Sequence, residues 1–232
     1  MTKLVFAILP TVGGKVRDEY IAKLAATSAY AKAHEPGVLT YAVCLPRDEA
    51  DQKTIYMIEA YADQAALDAH MQIDLVKDMI AWMGGPAPVL EGAPTVLVID
   101  VLDKVDHVDG DAGKFGLFAR PAGVAAAADP YIVVGALAYK DAALADKSLA
   151  YWADVVATTK ADEPGSLVYA LARSAAEPAK LYTLEAYENE AYLWETHAKS
   201  AAVQKNVADT KDWRAGLTHY FLKQVHGFLA RS

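Results

Sequence analysis

The chain has 232 residues, 54% of them hydrophobic and 22% charged. That is enough apolar material for one or two filled cores and too much for a disordered chain. The formal net charge is −8 and the 22 lysines and arginines are scattered. No basic stripe exists for a phosphate backbone, so nucleic acid is not an expected partner.

Leu4 to Leu9 is a continuous apolar run that stops at Pro10, as expected of a strand covered on both faces rather than a secretory signal. Val16, Tyr20, Ile21, Leu24 and Ala31 then recur near helical spacing, and the helix must stop before Pro36. Val38 to Leu45 and Thr54 to Tyr61 read as strands joined by the polar span Pro46 to Lys53. Cys44, the single cysteine, lies in the first of them and reads as a buried thiol; a lone cysteine fits a reducing compartment. Ala65 to Trp82 is mainly helical, with a break near Asp74, and Gly84-Gly85-Pro86 ends it. Thr95 to Leu102 closes the first unit as a fourth strand.

The order then repeats. Tyr131 to Ala138 is a strand, Leu149, Trp152, Ala153 and Val156 mark a helix, and Ser166 to Ala172 with Lys180 to Tyr187 form a hairpin. Glu190 to Asp209 is mostly helical, and Thr218 to Phe228 is the last strand. The repeat is literal in places. Glu35-Pro36-Gly37-Val38-Leu39-Thr40-Tyr41 returns as Glu163-Pro164-Gly165-Ser166-Leu167-Val168-Tyr169, and Tyr56 to Tyr61 returns as Tyr182 to Tyr187. Each half is β-α-β-β-α-β, an α+β pattern of two tandem ferredoxin-like domains, expected at 1–102 and 130–232. Residues 103–129 are expected to be a linker. Asp103, Asp106, Asp109 and Asp111 surround Gly110 there, but the spacing misses the calcium loop and a solvated acidic segment is the reading. No apolar run approaches the ~20 residues of a membrane span, so a cytoplasmic protein without a membrane partner is expected.

The E-P-G turn, the E-x-Y end of the third strand and the A-L-x-x-H start of the second helix resemble the antibiotic biosynthesis monooxygenase family. The first copy carries Glu59, Tyr61, Asp63, Ala66, Leu67 and His70. The second carries Glu185, Tyr187, Asn189, Ala191, Leu193 and His197, with one extra residue before the histidine. The resemblance implies dimeric α+β barrels, here joined covalently into one pseudo-dimer. It also implies, for some members, oxygenation of phenolic polyketides in secondary metabolism without metal, haem or flavin. Several such oxygenases carry tryptophan where this chain has Tyr61 and Tyr187. Members that degrade haem present a histidine on the second helix, and Val76 to Ile80 and Val203 to Asn206 hold none.

His70 and His197 are the candidate bases, with Tyr61 and Tyr187 to orient substrate. Tyr41, Tyr169, Trp82, Trp152 and Trp194 are candidate substrate contacts. Each has a structural alternative: the tyrosines and tryptophans as packing, the histidines as hydrogen-bonded bridges. No metal-binding spacing, nucleophile elbow or nucleotide loop is present, so no cofactor is expected. The first copy carries Met57, Met71, Met79, Trp82 and Met83, which would suit an irregular apolar ligand. The expected function is a cofactor-independent monooxygenase acting on a small hydrophobic or aromatic metabolite, a phenolic polyketide or an oxylipin. The alternatives are a non-catalytic small-molecule binding or stress-associated barrel, and a structural duplicate that oligomerises.

Overall fold

The computed structural model describes residues 1–104 and 115–231. The acidic residues Asp106, Asp109 and Asp111 therefore lie outside the described residues. Two compact units emerge, one of Met1–Val98 with Leu222–Arg231 and one of Ile99–Phe221. They do not divide at the expected boundaries of 102 and 130. The C-terminal end of the chain belongs to the first unit, and the end of the first repeat belongs to the second.

The first unit holds β1 (Lys3–Pro10), α1 (Gly14–His34), β2 (Val38–Pro46), β3 (Thr54–Tyr61), α2 (Gln64–His70), α3 (Asp74–Met83) and most of β4 (Thr95–Val101). Its strands run in the order β4-β1-β3-β2, and β1 and β2 both pair antiparallel with β3. The outer edge of β2 is covered by residues 222–228, the end of the last strand. Alternate strand residues Val5, Ala7, Leu9, Tyr41, Val43, Met57 and Tyr61 share one face, as period-2 geometry requires. They pack beneath Tyr20, Leu24 and Ala31 of α1. Cys44 is buried, and burial pushes its thiol well up. Asp63 caps α2 by accepting from the Ala66 amide at 2.9 Å. Gly37 lets α2 come close, because a Cβ there would lie 2.7 Å from that of Ala66.

The second unit holds the end of β4, then β5 (Phe118–Ala119), α4 (Pro121–Ala126), β6 (Tyr131–Tyr139), α5 (Ala142–Asp162), β7 (Ser166–Arg173) and β8 (Lys180–Tyr187). It continues through α6 (Glu190–Tyr192), a π turn (Leu193–His197), α7 (Ala201–Thr210) and the first part of β9 (Arg214–Phe228). The order is β9-β6-β8-β7-β5, with Asp100 and Val101 also paired to β7. One core cluster gathers Leu137, Leu149, Trp152, Val156, Tyr169 and Leu181, and a second holds Tyr131, Val133, Tyr187 and Leu193. Among the described residues, no helix is long and apolar enough to cross a membrane.

The expected linker is structured at its end. Gly116-Leu117-Phe118-Ala119-Arg120 and Gly227-Phe228-Leu229-Ala230-Arg231 are one motif in two copies. Each glycine has a positive φ, 86° and 88°, and each phenylalanine pairs with a strand tyrosine, Phe118 with Tyr169 and Phe228 with Tyr41. Each arginine then closes a helix. Arg120 donates to the carbonyls of Thr159 and Lys160 in the last turn of α5 and to that of Ser166 at the start of β7. Arg231 donates to those of Ala31, Lys32 and Glu35 at the end of α1 and to that of Val38 at the start of β2. A guanidinium at a helix C-terminus answers both the orphan carbonyls and the dipole.

Candidate functional site

The antiparallel register puts Tyr41 opposite Glu59 and, in the second unit, Tyr169 opposite Glu185. Tyr61 and Tyr187 stand two residues further on the same faces. The histidine comes down onto them from the second helix, and the glutamate of the E-P-G turn meets it from the side.

In the first unit His70 is 2% exposed, its ring 5.5 Å from that of Tyr41 and 5.4 Å from that of Tyr61. His70 Nδ1 lies 3.0 Å from Glu35 Oε2, and the Tyr61 hydroxyl donates to Glu59 at 2.5 Å. The second unit repeats this. His197 is 5% exposed, 5.7 Å from the Tyr169 ring and 5.1 Å from the Tyr187 ring. Its Nδ1 lies 2.8 Å from Glu163 Oε2, and Tyr187 donates to Glu185 at 2.6 Å. Ser166 Oγ also donates to Glu163, at 2.9 Å.

The extra residue before His197 is absorbed by the π turn. Asn189 caps the segment as Asp63 caps α2, and the amide of Ala198 reaches back to the carbonyl of Leu193 at 2.8 Å. One residue is accommodated without moving the histidine off its tyrosines, the recurrent use of such a bulge. Gly165 makes room on the same side: a Cβ there would lie 2.4 Å from the Tyr192 ring.

The electrostatics follow from burial. For His197, desolvation works against the imidazolium, but the hydrogen bond it donates to Glu163 and the charges of Glu185 and Glu163 outweigh it and raise its pKa above 6.5. Glu163 loses part of its ionisation to burial, and its bonds with His197 and Ser166 bring it net below 4.5. Burial raises Glu59. Burial first, and the neighbouring glutamates second, hold the phenols of Tyr41, Tyr61, Tyr169 and Tyr187 far above their ordinary range, so they act as donors. The Tyr169 hydroxyl and Glu163 Oε1 are buried with no hydrogen-bond partner among the described residues.

A cavity of about 260 Å³ opens in the second unit over His197, Tyr169 and Glu185. Its walls are largely apolar, among them Val133, Leu137, Trp152 and Phe221, and Trp194 stands at 45% exposure along its rim. Thr183, Asn206, Arg214 and His219 bring polar groups into it. The volume is just below the usual range for small-molecule sites.

The duplication shows how the space arises. Strand register matches Thr183 to Met57, since Met57 faces Val43 and Thr183 faces Leu171. The ten-residue helices α3 and α7 match Asn206 to Met79 and Thr210 to Met83. In the first unit Met57 and Met79 are buried core, and Met83 accepts from the Tyr20 hydroxyl at 2.8 Å. Met57 and Met79 fill in the first unit what Thr183 and Asn206 leave open in the second. The methionines therefore pack the first unit instead of lining a ligand space, and Met71 faces outward.

Of the residues singled out in the sequence, the two His–Tyr sets come together as described, and Trp152 and Trp194 join the second. Trp82 packs edge-on against Tyr20, 5.5 Å away, with the Lys23 ammonium over its ring. Tyr187 is committed to Glu185, whereas Tyr169 faces the cavity with its hydroxyl unpaired. Sequence reading missed Glu35 and Glu163 as histidine partners, although both stand in the repeated E-P-G. It also missed Asn206 and Arg214, which have no repeated counterpart.

No curated protein matches the chain. Two solved structures cover it almost end to end. One is a protein of Fusobacterium nucleatum subsp. nucleatum provisionally described as a monooxygenase, 19% identical, spanning 99% of this chain and 96% of its own, with a TM-score of 0.74. The other, similarly described, is from Lactobacillus acidophilus, 16% identical, spanning 100% and 99%, with a TM-score of 0.73. A protein described as anthrone oxidase-like, 15% identical, spans 97% and 92% with a TM-score of 0.57. The fold class is thus two tandem ferredoxin-like repeats of the pseudo-dimeric α+β barrel kind. The model of the antibiotic biosynthesis monooxygenase family matches both repeats, at residues 11–82 and 130–209, and the chain belongs to that family.

Proposed function

We propose that this protein is a cofactor-independent monooxygenase acting on a small aromatic metabolite, with its working site in the second unit. The observation that carries the reading is the cavity that places apolar walls and an unpaired Tyr169 hydroxyl directly over the His197–Glu163 pair. Nδ1 of His197 is held by Glu163, which leaves Nε2 as the nitrogen to take a proton from substrate. Glu163 and Glu185 stabilise the imidazolium that forms, and the imidazolium stabilises the substrate anion beside it. Tyr169, rather than Tyr187, donates to the substrate oxygen.

A methylene acidified by a neighbouring aryl ketone or phenol fits this machinery. Its anion reduces oxygen directly. Conversion of CH₂ to C=O consumes one O₂, places one oxygen atom in the product and releases the other as water, so all four electrons come from the substrate. A phenolic polyketide meets these demands more closely than an oxylipin, and the anthrone oxidase-like relative adds weight to that class. His70 has the same partners, but the space above it is filled by methionine, so its role is structural.

The test is oxygen uptake with anthrone, corrected for autoxidation, using protein stripped of metals and flavin. The expected result is one O₂ consumed per quinone, with a single ¹⁸O incorporated. His197→Ala should slow the reaction at least ~100-fold while His70→Ala retains most of it. Uptake no faster than autoxidation across anthrones and hydroxynaphthalenes would remove the reading.

A further inference from the structure

Arg214 opens β9 and lines the cavity. Its Nε and Nη2 donate to Thr210 Oγ1 at 3.2 and 3.0 Å, and Nη2 also reaches Asn206 Oδ1 at 3.2 Å. Asn206 and Thr210 are 2% and 0% exposed, and Thr210 donates onward to the Asn206 carbonyl at 2.7 Å. The guanidinium is therefore held on one edge by neutral acceptors. Among the described residues it forms no ion pair, and Nη1 bonds to nothing. A half-buried cation held in place without a counter-charge is costly unless something else supplies one.

The first unit has none of this. Its matching helix positions are Met79 and Met83, and no arginine occurs between Arg47 and Arg120. The polar set arose, or was kept, only where the cavity is. The other charged lining groups are accounted for: Glu185 accepts from Tyr187 and helps stabilise the charged form of His197. Arg214 is anchored to the second half of α7 and His197 lies before its first turn. Both line the same cavity, so one ligand can meet both.

We infer that the cavity binds an aromatic carboxylate, its anionic group on Nη1 of Arg214 and its reacting carbon at His197. This rests on the oxygenase reading for the identity of the reacting end. A carboxylate is the planar acceptor that a fixed guanidinium edge takes best. Arg214 is a specificity residue: it selects which substrate enters and at which end, and it does no chemistry.

Binding can be measured without turnover. The probes are 2-naphthoate and its uncharged analogue 2-naphthamide, titrated by calorimetry into the full chain. The expected result is naphthoate at least tenfold tighter than naphthamide. Arg214→Gln should abolish that preference and leave naphthamide affinity unchanged, and Arg214→Lys should restore part of it. Equal affinity of the two probes for the unmodified protein overturns the inference with no variant needed, and a preference that survives Arg214→Gln does the same. Because no oxygen is involved, a preserved naphthoate preference beside absent oxygen uptake would remove the oxygenase reading alone. Uptake on uncharged anthrones beside absent preference would remove this inference alone.

Discussion

Glu163→Gln removes one charge from the centre of the second unit while keeping the side chain's shape. The hydrogen bond to His197 Nδ1 is 2.8 Å long and both partners are buried. A hydrogen bond involving a charged group contributes about 1.5–3 kcal/mol. For a chain of this size that corresponds to a melting temperature lower by roughly 3–12 °C. The pH dependence has a definite sign. His197 is raised above 6.5, so its contribution is complete below 6.5 and is lost as pH rises through the folded value. Glu163 is lowered below 4.5, so its contribution is complete above 4.5 and is lost as pH falls through the folded value. The pair therefore acts in full between 4.5 and 6.5. Melting curves by circular dichroism at pH 5.5 and pH 9 should show a large gap between wild type and variant at the first and a smaller one at the second. Histidine NMR, assigned with His197→Asn, should show the His197 midpoint moving down in Glu163→Gln. A variant as stable as wild type at pH 5.5 would refute the ionic pair, and a gap undiminished at pH 9 would mean that packing, not charge, was lost.

The acid limb of kcat/KM should lie above pH 6.5 for the reason just given, and Glu163→Gln should shift it to lower pH. Gly165→Ala should cost about 1–3 kcal/mol, because its Cβ would enter the Tyr192 ring; thermal melting measures it, and Tyr192→Ala should recover part of the loss. Arg120→Ala should lower the melting temperature by removing three carbonyl contacts, two at the end of α5 and one at the start of β7, a loss of about 1–3 kcal/mol. Met79→Asn should destabilise the first unit by about 2–5 kcal/mol, since no Thr–Arg pair waits there to satisfy the amide; chemical unfolding reads it directly.

Most of the fold was legible because the duplication states each strand twice. Thr54 to Tyr61 and Lys180 to Tyr187 were readable to the residue, both bounded by polar turns. The break near Asp74 is the start of α3. The exchange of strand ends was not legible: pairing of Leu222–Phe228 with β2 and of Asp100–Val101 with β7 depends on contacts far apart in sequence. The repeated G-L-F-A-R and G-F-L-A-R was hidden by its swapped order and by the acidic stretch before it. β9 begins at Arg214, before the expected Thr218, because Gly216 and the exposed Ala215 dilute the strand pattern. That early start conceals Arg214 from any reading that looks for chemistry in repeated positions.

The site's two halves follow opposite logics for that reason. What repeats, Glu-His-Tyr-Tyr-Glu, is also what joins turn, helix and hairpin in each unit, so its repetition alone cannot separate catalysis from architecture. What diverges is more telling. An enclosed void of about 260 Å³ would cost up to ~6 kcal/mol at the rate measured for core cavities, and less where water can enter. A domain of this size has a total stability of only about 5–15 kcal/mol. Packing alone would favour filling the second unit with methionine as the first is filled. Thr183 and Asn206 instead keep the space open, and Asn206 with Thr210 holds a cation at its edge. A sequence that forgoes so much packing in one copy, while retaining it in the other, is best explained by a ligand that fills the space and brings a negative charge to Arg214.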